Sequence, residues 1–170
     1  DFSVYGLDEK TASRPPRVDP AATTLPLQLR RGDRVVFIGN TLFERATDFP
    51  HFEAMLHAGH PDRQLVVRTL AWSADEVDLM PRPKNFGDLQ QHLTAQKADV
   101  IFAAFGFNES FGGLDRLPEF RARLVKLLTT LKTSAYNGRS APRIVLVSPI
   151  ASENVRGVPA ADLNNARLAA

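Results

Sequence analysis

From Arg34 onward, apolar residues fall into short runs separated by longer stretches with a helical stripe. Val35-Val36-Phe37-Ile38 ends at Gly39-Asn40, and Leu65-Val66-Val67-Arg68-Thr69-Leu70 follows. Val100-Ile101-Phe102-Ala103-Ala104-Phe105 is the third run and Ile144-Val145-Leu146-Val147 the fourth. Such runs, bounded by turn residues, predict buried strands. Between the first two, Asp48 and Pro50 open a helix whose Phe52, Met55 and Leu56 form an apolar stripe up to Gly59. A loop with Pro81, Pro83 and Asn85 leads to a helix over 86–96. Pro118 opens a long helix with Phe120, Leu124, Leu127, Leu128 and Leu131 on one face, and 162–170 reads as a terminal helix. Strand and helix alternating four times predict an α/β fold, a three-layer sandwich around a parallel sheet. Unbroken apolar runs agree, because parallel strands are buried on both faces. The order taken for the sheet is the flavodoxin-like 2-1-3-4, with the last strand missing.

Residues 1–31 break the pattern. Pro15, Pro16, Pro20 and Pro26 lie among scattered Thr, Ala and Arg, which predicts a Pro-rich extended arm or linker ahead of a domain over 32–170. Within it Leu25, Leu27 and Leu29 alternate, predicting a short strand against the body. The chain begins at Asp1, and its last helix runs to Ala170 without a cap or breaker. Both ends read as cuts, so other domains of a longer parent chain are expected. The compartment stays unassigned, bacterial export included.

Composition narrows the chemistry. The 170 residues suit one domain, and the 44% hydrophobic content can fill its core. Twenty-one basic against nineteen acidic side chains give a charge of +2, too balanced for a nucleic-acid footprint despite a pI near 9.2. No apolar run is long enough to span a membrane. Without cysteine there is no thiol nucleophile, disulfide or thiolate zinc site. Phosphate-loop and dinucleotide-binding glycine motifs are absent, and no cofactor is expected. Asp75, Glu76, Asp78 and Glu109 match no metal-ligand spacing and read as a solvated acidic loop. His57, His60 and His92 read as surface residues, and Arg116, Arg121, Arg123 and Lys126 as a solvated helix face.

In open α/β sheets, ligands bind beyond the carboxyl ends of the strands. Three turns sit there: Gly39-Asn40-Thr41, Ala71-Trp72-Ser73-Ala74-Asp75 and Gly106-Phe107-Asn108-Glu109-Ser110. With strand order 2-1-3-4 they converge on one cleft. Thr41 offers a hydroxyl and an N–H, Ala71 an N–H and Asn108 a side-chain amide. Three donors aimed at one point make an oxyanion hole. Simpler roles compete: Thr41 as a helix cap, Asn108 as a turn former, and Trp72 as packing rather than the wall of a sugar pocket. The literal Asp48-Phe49-Pro50-His51 reads as a helix cap followed by a surface histidine.

The blocks Ile38-Gly39-Asn40-Thr41, Thr69 through Asp75, Gly106-Phe107-Asn108-Glu109 and Val147-Ser148-Pro149-Ile150 resemble the SGNH, or GDSL-type, esterase-lipase superfamily. The similarity covers roughly 32–170, and more narrowly the chain is similar to GDSL-type domains inside large bacterial multi-domain proteins. It implies hydrolysis of a small acyl ester or acetylated carbohydrate. Thr41 then stands at the nucleophile position, and Thr41, Ala71 and Asn108 form the oxyanion site. On the same resemblance Asn40, Trp72 and Glu109 are expected to contact substrate. The family's Asp-x-x-His block and a fifth strand would follow Ala170. The sequence departs from the family pattern at Thr41 (for Ser), Asn40 (for Asp), Ala71 (for Gly) and Glu109 (for Asp). These departures leave a second option open, a catalytically inactive module that binds a ligand or serves a structural role. On either option residues 1–170 alone are expected to be nearly inactive on p-nitrophenyl acetate. They are also expected to be poorly soluble, with the fourth strand an open edge.

Overall fold

The four apolar runs form strands side by side in a computed structural model that describes residues 2–157 and 160–170. The strands are β1 (Arg34–Gly39), β2 (Val66–Thr69), β3 (Val100–Ala104) and β4 (Arg143–Val147), all parallel in the order β2-β1-β3-β4. The helices are α1 (Thr41–Arg45), α2 (His51–Gly59), α3 (Leu89–Gln96), α4 (Phe107–Ser110), α5 (Leu117–Lys132) and α6 (Ala160–Leu168). This is the flavodoxin-like α/β sandwich expected from the sequence.

Side chains alternate across each strand, so each strand feeds two cores. Val36, Ile38, Ile101, Ala103 and Phe105 pack with Leu93 of α3, Leu131 of α5 and Tyr136 on one face. Val35, Phe37, Phe102 and Ala104 pack with Phe43 of α1, Leu65 and Leu29 on the other. Phe37 is the hub of the second core, stacked on Phe43 at 4.6 Å and edge-on to Phe102 at 5.6 Å. Burying one such side chain contributes about 1.5–3 kcal/mol. β1 and β3 are buried almost throughout, whereas β4 is only half-buried.

Residues 2–31 lie along the body. The Gln91 amide donates to the carbonyls of Glu9 and Ala12, both at 2.9 Å, and Arg14 pairs with Asp88 at 2.7 Å. Ala135 N–H donates to the Pro16 carbonyl and Val18 N–H to that of Thr133. The strand expected over Leu25–Leu29 does not form. Pro26 has no N–H for a ladder; Leu25 is exposed, Leu27 packs partly buried against the core, and Leu29 is buried in it. Two helices differ in detail from expectation. The helix read over 86–96 starts at Leu89, because Asp88 and Gln91 close a capping box just before it. In α2 no residue is buried. Of its expected stripe, Met55 is exposed, Leu56 packs partly buried against the core, and Phe52 lays its ring near Phe37 and Phe102.

Candidate functional site

The turns after β1, β2 and β3 meet at the carboxyl end of the sheet, joined by hydrogen bonds. Gly39 closes β1 at φ +123°, and a Cβ there would lie 2.0 Å from the Ala104 carbonyl oxygen. Only glycine lets β1 and β3 come this close before the chain turns. Asn40 N–H then donates to Ala104 at 3.3 Å, and Trp72 N–H donates to the Gly39 carbonyl at 3.1 Å. Asn40 is buried, and its side chain caps α1 by accepting from Leu42 N–H. The cap is therefore Asn40, and Thr41 is the first residue of the helix.

Thr41 lines a cavity of about 220 Å³ bounded by Asn40, Leu42, Phe107, Pro149 and Ile150. Its hydroxyl donates to Ser73 Oγ at 3.5 Å. Ser73 in turn donates to Glu44 Oε2. On the other side of the same loop, the Asn108 amide donates to the Asp75 carbonyl at 3.1 Å. Thr41 and Asn108 are thus each hydrogen-bonded to the loop 72–75. The third expected donor is engaged elsewhere, since Ala71 N–H donates to Thr69 Oγ1 at 3.2 Å. Asn108 keeps a second amide proton and Thr41 its own N–H, a position that helices leave without an internal acceptor. Glu109 turns inward, with one oxygen accepting Val77 N–H and the other Gly106 N–H, both at 2.9 Å. Trp72 is exposed, with the Arg82 guanidinium 4.5 Å from its ring centre.

The acidic loop is not solvated as expected. Asp75 is buried in a two-bond pair with Arg82, and Glu109 is buried on backbone donors. Glu76 and Asp78 flank Arg123 at 3.7 and 2.7 Å. That pairing also removes Arg123 from the solvated helix face. No group of three or more metal-binding side chains occurs among the described residues.

His92 is buried rather than on the surface. Phe86 packs over its ring at 4.3 Å, and Nε2 has no partner among the described residues. Burial holds the imidazole below its usual value, opposed by a backbone hydrogen bond to Gly87. A groove of about 500 Å³ runs beside it, past Trp72, Met80, Arg82 and Phe86. Asp48 does not cap α2. The N-cap there is Pro50, without a side-chain bond, and Asp48 lies 3.9 Å from Arg45. No helix among the described residues is long and apolar enough to cross a membrane.

Sequence reasoning did not single out Glu44, Arg82 or the role of Ser73. Glu44 and Ser73 are 29 positions apart, so no spacing rule joins them. Arg82 sits in a proline-rich loop that reads only as a connection.

No protein-family model matches the chain. No curated protein matches it in sequence. Among solved structures it is similar to a gut microbial diltiazem-metabolizing enzyme, at 17% identity and a TM-score of 0.47, over 90% of this chain and 34% of that enzyme. The chain therefore spans about a third of that enzyme's length.

Proposed function

We propose that the carboxyl rim of the sheet is an ester-hydrolase site for a small acyl ester, such as an acetylated carbohydrate. The observation that carries this reading is the Thr41 hydroxyl at the wall of the 220 Å³ cavity, hydrogen-bonded to a loop that Asn108 also holds. The apolar side chains of Leu42, Phe107, Pro149 and Ile150 suit a short acyl group. The Thr41 N–H and hydroxyl and the free Asn108 proton supply donors for the charge that develops on an attacked carbonyl. Trp72 offers an exposed ring to the alcohol side of the substrate, as sugar sites commonly do. The resemblance of these blocks to SGNH-type esterases supports the same chemistry.

The test compares p-nitrophenyl acetate with longer acyl esters, in the wild type and in Thr41→Ala and Thr41→Ser. Hydrolysis that prefers the short ester and changes with residue 41 supports the reading. Hydrolysis no faster than buffer, together with no change on substitution, removes it.

One observation favours the alternative, a binding module without catalysis. Ala71 N–H is donated to Thr69 within the same turn, so the oxyanion site has one donor fewer than expected. Binding of acetylated oligosaccharides without turnover is the outcome that reading requires.

A further inference from the structure

Glu44 follows Thr41 by three residues on α1, so the two side chains share a face. Facing them, Ser73 donates to Glu44 Oε2 and accepts from Thr41 Oγ1. The direction of this chain follows from chemistry: an ionised carboxylate only accepts, so the Ser73 proton points at Glu44.

The loop presenting Ser73 is a tight turn, with Asp75 N–H donating to the Trp72 carbonyl at 3.1 Å. Ser73 is its second residue and Ala74 its third, at φ +65°. The third position of such a turn favours glycine, and a side chain with φ > 0 costs about 1–2 kcal/mol. Both ends of the turn are fixed. Trp72 N–H is held by Gly39, the Asp75 carboxylate by Arg82, and the Asp75 carbonyl by Asn108. Ala74 thus holds a costly backbone conformation next to an exposed hydroxyl that already faces a carboxylate.

We infer that Ser73 is the nucleophile of this site and Glu44 its general base, with Thr41 a donor to the oxyanion. This rests on the ester-hydrolase reading above and replaces only the attacking hydroxyl. Ser73 is a primary alcohol in direct contact with the base, whereas Thr41 is a secondary alcohol that reaches it only through Ser73. In acylation, Ser73 Oγ bonds to the ester carbonyl carbon, its proton passes to Glu44, and the carbonyl electron pair moves onto oxygen. The Thr41 hydroxyl, no longer donating to Ser73, donates to that oxygen. Collapse expels the alcohol oxygen, which takes the proton from Glu44. Water then attacks the Ser73 ester, giving its proton to Glu44, and Ser73 Oγ recovers that proton as the acid leaves.

A fluorophosphonate probe on the wild-type chain, followed by peptide mapping, reads the nucleophile without any variant. An adduct on Ser73 is expected, together with p-nitrophenyl acetate turnover in place of the near-inactivity that the sequence alone predicts, because Ser73 and Glu44 supply nucleophile and base within residues 1–170. Ser73→Ala should remove both, and Glu44→Gln should slow both by about 10²–10⁴-fold with an unchanged circular-dichroism melt. An adduct on Thr41, or turnover that survives in Ser73→Ala, overturns this assignment and leaves the ester-hydrolase reading standing. Wild type with neither adduct nor turnover overturns both.

Discussion

Arg82 closes on both carboxylate oxygens of Asp75, at 2.8 and 2.6 Å, in a pair almost wholly out of water. The pair fixes the far end of the turn that carries Ser73, and Asn108 holds the same residue by its carbonyl. Electrostatics of the loop and geometry of the site are therefore one construction.

Removing Arg82 should cost far more than removing one partner of a surface ion pair. Arg82→Met leaves the Asp75 carboxylate buried without its partner, a change worth about 3–5 kcal/mol. Adding Asp75→Asn to that variant should recover much of the loss, because the uncompensated charge goes. Urea unfolding of the two single variants and the double variant measures it. A double variant no better than Arg82→Met would show that packing on Trp72, rather than charge, dominates.

Gly39 allows a sharper comparison. Its Cβ would meet the Ala104 carbonyl at 2.0 Å, and backbone cannot move aside as a side chain can. Strain at such a φ alone costs about 1–3 kcal/mol, so Gly39→Ala should lose about 3 kcal/mol or more and displace Asn40 and Thr41 with it. Gly32 also has positive φ but has open space around it. Gly32→Ala should cost only about 1 kcal/mol. Thermal melts of the two variants give the difference, and equal losses would mean that the β1–β3 contact is not the constraint.

What the sequence revealed follows from the range of each interaction. The strands were legible because β1 and β3 are buried on both faces and must read as apolar runs. α1 and α4 were not, since five and four residues are too few to show a helical period. The meeting of the three turns at one end of the sheet was legible from the strand order. Their bonding was not, because Thr41 to Ser73, Ser73 to Glu44 and Asn108 to Asp75 each cross about thirty positions. The packing of residues 2–31 was hidden for another reason. It uses backbone carbonyls of Glu9, Ala12 and Pro16, which leave no mark in side-chain pattern.

His92 should give the fold a measurable pH response. Burial lowers its pKa below 6.5, the nearby Arg82 charge lowers it further, and the Gly87 backbone bond and Asp88 oppose this. The unfolded chain takes up a proton as pH falls through about 6.5, while the folded chain resists until a lower pH. The stability that neutral His92 contributes is thus complete above the unfolded value and is lost as pH falls through the folded one. The wild-type melting temperature should drop more between about pH 7.5 and about pH 5 than that of His92→Leu. Parallel slopes would exclude His92 as the source.

The β4 edge sets the last expectation. β4 pairs with β3, and no other strand among the described residues pairs with it. Leu146 stands half-exposed beside a groove of about 540 Å³ lined by Leu117, Phe120, Leu124 and Arg167. Unpaired N–H and C=O groups beside exposed apolar side chains are a template for a further strand, and natural edges are protected by charge. Residues 1–170 should therefore self-associate as concentration rises, and Leu146→Lys should shift the population toward monomer without lowering the melt. Light scattering across a concentration series reads both. A wild type that stays monomeric throughout would mean that Arg143, bonded to Asp33 at 2.6 Å and to the Gln28 carbonyl, already guards this edge.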